Sequence, residues 1–437
     1  MKQYETYKDS GEEWIGEIPT EWGMTRIGNL SELTVPQRDK PKDLKGEIPW
    51  LRIEDFESKY VSTSKSNQGV SIETVKSMNL KVYPVGTVLT ACSCTMGKTA
   101  IVREPLITNQ TFIGITPNQN LESEYLYYFL ISSTQYLNSI ASGAIQSYLS
   151  RSEFSKLKIP KISIVEQTKI ANYLNHKTAH LDTLIAKKEH LINLLQEERT
   201  SMINQAVTKG IDSTVIMKDS GIEWLGEIPE HWVNYRIDWI TTIVRGNTGF
   251  KKDELLESGE YVALQYGKTY KVDIVDESFK FFVNNEFYKQ SQIVSRGDTI
   301  LISTSETVED LGHTCYYDKE NIGLLGGEQI LLKPNRKILS EKYLYHYAGQ
   351  FCLEMRRYAK GLKVFRFNTN NLKQIFIAIP SLEEQILIAD YLDRETIRIS
   401  EVISRTKKEI ELLKEYKTSL ISEVVTGKVD VRGEVYN

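Results

Sequence analysis

Apolar residues recur at a seven-residue spacing in two stretches of this chain. Stepping from Leu174 gives Leu181, Lys188, Leu195 and Met202, and stepping from Leu392 gives Ile399, Thr406, Leu413 and Leu420. A sustained heptad repeat marks a helix whose apolar stripe faces another helix. Two such helices of some 40 residues, each about 60 Å long at roughly 1.5 Å per residue, are therefore expected. The one polar step falls at the same place in both, at Lys188 and Thr406, where a single polar seam position can set register.

Away from these stretches the pattern is that of short strands bounded by turn residues. IPWLRI (48–53), VLTACS (88–93), TAIV (99–102) and FIGIT (112–116) are followed much later by YVALQY (261–266), TILIST (299–304) and QILLKP (329–334). Tyr-rich helical segments begin at Tyr125 and Tyr343 and end at Gly143 and Gly361. Each leads through a polar loop to an apolar run closed by Pro160 or Pro380.

The chain is thus written twice. KDSGEEWIGEIPTEW (8–22) and KDSGIEWLGEIPEHW (218–232) are near copies, and the helix starts place Gln167 and Gln385 218 residues apart. A period this long is a duplicated domain, since solenoid and propeller repeats run from about 20 to 50 residues. The expected fold is α+β, with globular parts at 1–160 and 213–380 and helical spacers at 161–212 and 381–437. Chain order favours antiparallel pairing of the helices as a coiled coil, with the two globular parts related by pseudo-two-fold symmetry.

Composition narrows the chemistry. With 437 residues, 41% hydrophobic and 26% charged, the chain is an ordinary globular protein. No window has the roughly 18 apolar residues of a spanning helix and the start lacks a signal sequence, so a cytoplasmic location is expected. The four cysteines form no zinc pattern, and His176, His180 and His190 lack the carboxylate of HExxH, so no metal is expected. None of the eleven prolines adjoins another, which excludes a Pro-Pro-Tyr methyltransferase site. CSCTMGKT (92–99) has Cys92 where a phosphate loop needs glycine. No catalytic constellation recurs in both halves, so recognition rather than catalysis is expected. A net charge of −4 confines nucleic-acid contacts to local patches, the clearest being Met355–Lys373, with six Lys or Arg and no acidic residue.

Four features together carry a family resemblance: the twin SGxEWxGEIPxxW openings, the strands begun at Gly86 and Gly297, the EQxxIAxYL helix starts at Glu166 and Glu384, and the helix ends AVTKGID and VVTGKVD. Over essentially its full length the chain resembles the specificity subunit of a type I restriction-modification system. The resemblance implies two target-recognition domains, each reading one half of a bipartite, asymmetric sequence in double-stranded DNA. It implies partners too, two methyltransferase (adenine-N6) subunits and two restriction subunits. The chain itself would be noncatalytic and would hold no cofactor, with S-adenosylmethionine, ATP and Mg held by the partners. A two-headed protein-binding scaffold is the alternative from another class.

Position and side-chain chemistry then nominate contacts, because Arg or Lys can read guanine and Asn or Gln adenine. In the first domain these are Arg38, Lys40, Arg52, Lys65, Asn67, Ser93, Lys98, Gln146 and Tyr148. In the second they are Arg245, Lys251, Lys252, Gln265, Tyr266, Lys268, Ser305, Lys360, Lys363, Arg366 and Asn368.

Overall fold

In a computed structural model, residues 2–36, 40–93, 96–141, 148–309, 311–361 and 363–434 are described. The chain divides into two units: Met1–Glu189 with Lys407–Asn437, and His190–Thr406. The first unit therefore contains both ends of the chain. There the Asp430 amide donates to the Lys2 carbonyl at 2.9 Å.

Each unit is mixed α/β and is built around a five-stranded sheet. In the first unit the strand order is Ser31–Thr34, Phe112–Pro117, Val88–Ala91, Thr99–Val102, Tyr60–Val61. In the second it is Thr241–Arg245, Gln329–Pro334, Thr299–Ile302, Thr314–Tyr317, Ile274–Val275. Both sheets are antiparallel except for the last strand, which joins in parallel. The central strands are buried along their length, as VLTA and TILI require. The strands expected from the sequence are all present, with IPWLRI shortened to Ile48–Leu51 before the 3-10 turn Ile53–Asp55 and YVALQY shortened to Tyr261–Leu264 where Gln265 begins a helical turn.

The Tyr-rich segments pack on these sheets as helices, Ser123–Ser132 continued by Thr134–Ile140 in the first unit and Glu341–Met355 in the second. Their buried tyrosines end on helix carbonyls. Tyr125 Oη donates to Val425 O at 3.1 Å, and Tyr343 Oη to Val207 O at 3.2 Å.

The two heptad stretches are unbroken helices, Ile164–Lys209 and Leu382–Val425. Within each unit, the start of one packs against the end of the other. The first unit buries Ile170 and Leu174 with Leu420, Ile421 and Val424, while the second buries Ala206 and Val207 with Ile388 and Leu392. The direction is antiparallel. In the first unit Asp182 pairs with Lys417 at 2.6 Å and Lys188 with Glu409, so partner numbers fall as the first helix advances. Lys188 thus meets a carboxylate across the pair, whereas Thr406 turns its hydroxyl to the Val402 carbonyl of its own helix at 2.8 Å. A second seam register interleaves the first, at Thr178, Ile185 and Ile192 and at Thr396, Ile403 and Ile410. Alternating steps of four and three complete the a and d positions of a heptad.

The repeated motifs meet at one joint in each unit. Trp22 and Trp232 are buried and donate from Nε1 to Glu166 Oε1 at 3.2 Å and to Glu384 Oε1 at 3.1 Å. The acceptors lie in the first turn of a long helix, where negative charge is favoured. Tyr4 Oη also donates to Glu166 at 2.9 Å, and burial together with that carboxylate pushes the phenol far above its ordinary range. The neighbouring glutamines are buried: Gln385 accepts the Ser340 amide at 2.8 Å and donates to Ile338 O at 2.9 Å and Pro380 O at 3.0 Å. Gln167 repeats this with Glu122, Asn120 and Ile162.

Gln385→Ala strands one amide and two carbonyls in the second unit, each costing about 1 kcal/mol or more when buried without a partner. We expect a destabilisation of about 3 kcal/mol, read as a lowered urea midpoint, with the exposed neighbour Glu383→Ala close to wild type. Equal midpoints for the two variants would refute the buried bridge.

Candidate nucleic-acid interface

At one end of each five-stranded sheet a backbone crossing brings distant segments together, a strand pair in the second unit and a single bridge in the first. In the second unit Thr304–Ser305 pairs antiparallel with Phe365–Arg366. The crossing is tied down by Phe367 N donating to Ser303 O and Ser303 N donating to Glu328 O, both at 3.2 Å. The first unit has the same frame. Ser93 bridges Tyr148, Leu149 N donates to Cys92 O at 2.9 Å, and Cys92 N donates to Thr111 O at 2.9 Å. Matched positions therefore carry Ser93, Thr111 and Tyr148 in one unit and Thr304, Glu328 and Arg366 in the other. The backbone is repeated and the chemistry is exchanged.

Gly326–Gln329 is the turn that joins the second unit's nominated residues. Gly326 N donates to Leu264 O at 3.0 Å and Gly327 N to Thr248 O at 2.7 Å. This sets the crossing beside the 245–252 loop and Gln265, whose Nε2 donates to Phe250 O at 2.8 Å. Arg245, Lys251 and Lys252 are exposed on that loop, Lys251 lying 4.0 Å from Glu254. Tyr266 stacks with Tyr270, and the Lys268 ammonium lies 4.4 Å from the Phe281 ring centre.

The other nominated residues differ in how free their side chains are. Lys360, Lys363 and Arg366 are exposed, with Lys360 and Arg366 exchanging two backbone hydrogen bonds of 3.1 Å. Ser93 and Ser305 are buried, because the crossing strands cover them. Asn368 is exposed but its Oδ1 accepts from Asn370 N and Asn371 N, capping the short helix Thr369–Leu372. The acid-free stretch is also less uniform than its composition suggests. Arg356 donates to the carbonyls of Leu311 and Glu309, and Arg357 pairs with Glu354 at 3.0 Å. Those two guanidiniums hold protein, leaving Lys360, Lys363, Arg366 and Lys373 as its outward cations.

In the first unit Arg52, Lys65 and Lys98 gather round one turn. Asp55 accepts the Arg52 amide at 2.7 Å and the Lys65 amide at 2.8 Å, while Lys98 Nζ donates to Ile53 O at 3.2 Å. Arg52 is 3.7 Å from Glu54, and Lys65 pairs with Glu57. Asn67 is exposed at φ 51°, a conformation that asparagine tolerates. Lys40 and Tyr148 are exposed; Arg38 and Gln146 lie outside the described residues. Sequence reasoning passed over Thr111 and Glu328, which directly precede FIGIT and QILLKP. The signal for both was a polar residue in the turn at the same end of equivalent strands.

Among the described residues there is no group of three His, Cys, Asp or Glu placed to hold a metal ion. Burial raises the Cys92 thiol to about 11 and the Cys352 thiol to about 12, keeping both protonated at neutral pH. No helix of the described residues is long and apolar enough to cross a membrane.

Two stretches, residues 19–194 and 229–412, match the family described as the type I restriction modification DNA specificity domain. The chain belongs to that family. The MjaIX specificity subunit of a type I restriction enzyme from Methanocaldococcus jannaschii is 24% identical over 430 residues, covering 95% of each chain. A putative MjaX specificity subunit from the same organism is 27% identical over 439 residues and 96% of each. Among solved structures, a chain from a study of complex assembly and conformational transition of the type I R-M system aligns with TM-score 0.69, at 16% identity, over 94% of this chain and 99% of that one. The HsdS subunit from Thermoanaerobacter tengcongensis aligns with TM-score 0.57 over 94% and 98%, again at 16% identity.

For a family member with this crossing, Arg366→Ala is expected to weaken binding to its cognate duplex by about 1 to 3 kcal/mol. Titrations at several salt concentrations separate the modes: a base contact leaves the salt slope intact, and a phosphate contact lowers it by about 1. Unchanged affinity at every salt concentration would remove Arg366 from the interface.

Proposed function

We propose that the chain is the DNA sequence-specificity subunit of a type I restriction-modification enzyme, reading a bipartite, asymmetric target with one half-site per unit. The observation that carries this reading is the exchange of Ser93, Thr111 and Tyr148 for Thr304, Glu328 and Arg366 on a repeated backbone frame. A symmetric reader needs no such exchange, and two different half-sites do. The nearby exposed cations supply the sequence-independent attraction to phosphate that positions a reader on a duplex.

In this reading the chain is noncatalytic. It directs methyltransferase subunits that modify adenine at N6, and restriction subunits that cut unmodified DNA, two of each. S-adenosylmethionine, ATP and Mg belong to those partners. The paired helices serve as spacer between the readers and as docking surface for the methyltransferase. The specificity-subunit names of the relatives support this reading.

Selection of the full-length chain against a randomised duplex library is expected to return a split consensus, two short defined sequences flanking an undefined spacer. The same preparation with S-adenosylmethionine should transfer no methyl group to the selected duplex. Enrichment of no sequence would favour a protein-binding scaffold, and methyl transfer by the purified chain alone would refute the noncatalytic assignment.

A further inference from the structure

Glu328 is oddly placed in two respects. Among the described non-glycine residues only Asn67, Asn79 and Glu328 have positive φ, and Glu328, at 64°, is the one that is not asparagine. It follows Gly326 and Gly327, in a turn where a further glycine would sit without strain. An unfavourable backbone held by its surroundings is a common mark of a functional position.

The second oddity is electrostatic. Glu328 is an exposed carboxylate beside Arg366, one of the outward cations. Its Oε1 lies 3.5 Å from Arg366 Nη2, with the two side chains 44% and 59% exposed, and its Oε2 accepts from the Thr304 hydroxyl. Lys360 is hydrogen-bonded to the Arg366 backbone, and Lys363 lies on the same exposed loop. An exposed ion pair stabilises a fold little. A carboxylate is also the wrong group to face a phosphate.

Resting on the DNA-reading function proposed above, we infer that Glu328 is a specificity-determining residue that accepts a hydrogen bond from the N4 amino group of a cytosine in the half-site read by the second unit. In the major groove cytosine offers that amino donor, while guanine and thymine offer acceptors that a carboxylate repels. Adenine's amino group stands beside the N7 acceptor, so cytosine is the better fit. The Thr304 hydroxyl fixes one carboxylate oxygen and leaves the other toward Arg366. When DNA arrives, the guanidinium can read guanine O6 and N7 while the carboxylate takes cytosine, so both members of the pair favour G·C content. The first unit has Thr111 at the matched position and Tyr148 opposite, and its half-site lacks this particular demand.

The test compares the full-length wild-type chain with Glu328→Gln and Glu328→Gly in selections from the same randomised duplex library. Glutamine keeps an acceptor but adds a donor, the combination suited to adenine. Glycine removes the side chain and accepts the positive φ, so it keeps the turn and guards against misfolding. We expect one column of the second unit's half-site to be cytosine in the wild type, preferred by about tenfold. In Glu328→Gln that column should shift toward adenine, and in Glu328→Gly it should lose its preference, with the other half-site unchanged. Retention of every column by both variants overturns the inference, as does a fall in affinity with all columns intact, which would assign Glu328 to holding Arg366. A wild-type chain that selects no split consensus overturns the DNA-reading function itself, a result distinguishable from either of these.

Discussion

The fold depends on an indole hydrogen-bonded to a carboxylate. Trp22 and Trp232 close the two copies of the repeated opening, and each donates to a glutamate in the first turn of the long helix that follows its own globular part. The same ring meets the end of the other long helix. A Cβ on Gly427 would come within 2.7 Å of Trp22, and one on Gly210 within 3.5 Å of Trp232. Each tryptophan thus ties the opening, the start of one helix and the end of the other into one buried joint. Both glycines have positive φ, 78° and 79°, which suits a residue just beyond a helix end. A bulkier residue at Gly427 would have to displace the ring that holds the joint.

That joint explains how the sequence repeats while function does not. Tryptophan, glutamate, the buried glutamine beside it and the terminal glycine recur because each unit needs the same closure. At the opposite task, presenting side chains at the strand crossing, the frame is held by main-chain hydrogen bonds that any residue can make. Side chains at 93, 111 and 148 in one unit, and at 304, 328 and 366 in the other, differ while that main-chain frame is kept. A reader of two unlike half-sites needs this separation between what assembles and what discriminates.

The long helices were legible because a heptad repeat of Leu and Ile has few other physical meanings. The strands were legible because runs such as VLTA and TILI are apolar throughout and bounded by turn residues. The interleaved seam positions were harder, since Thr178 and Thr396 are polar and show their role only through burial. The membership of residues 407–437 in the first unit is a matter of packing that local pattern does not encode. At the candidate interface, composition identified the basic stretch but not that Arg356 is spent on the carbonyls of Leu311 and Glu309. Glu328 was passed over because an acidic residue after two glycines reads as an ordinary turn. Its meaning comes from a backbone angle and from Arg366, which lies 38 residues further along the chain.

The central claim is that specificity resides in the segments mounted on a shared frame, one per unit. The matched edges of that frame are the strand starts Ser31 and Thr241 and the carbonyls of Leu157 and Ile375, which accept the Ile27 and Ile237 amides at 2.9 Å. The most direct measurement replaces residues 241–375 by residues 31–157 and selects the resulting full-length chain against a randomised duplex library beside the wild type. The account predicts a consensus in which the wild type's first half-site is present twice and its second is absent. Retention of the second half-site by the exchanged chain would contradict it.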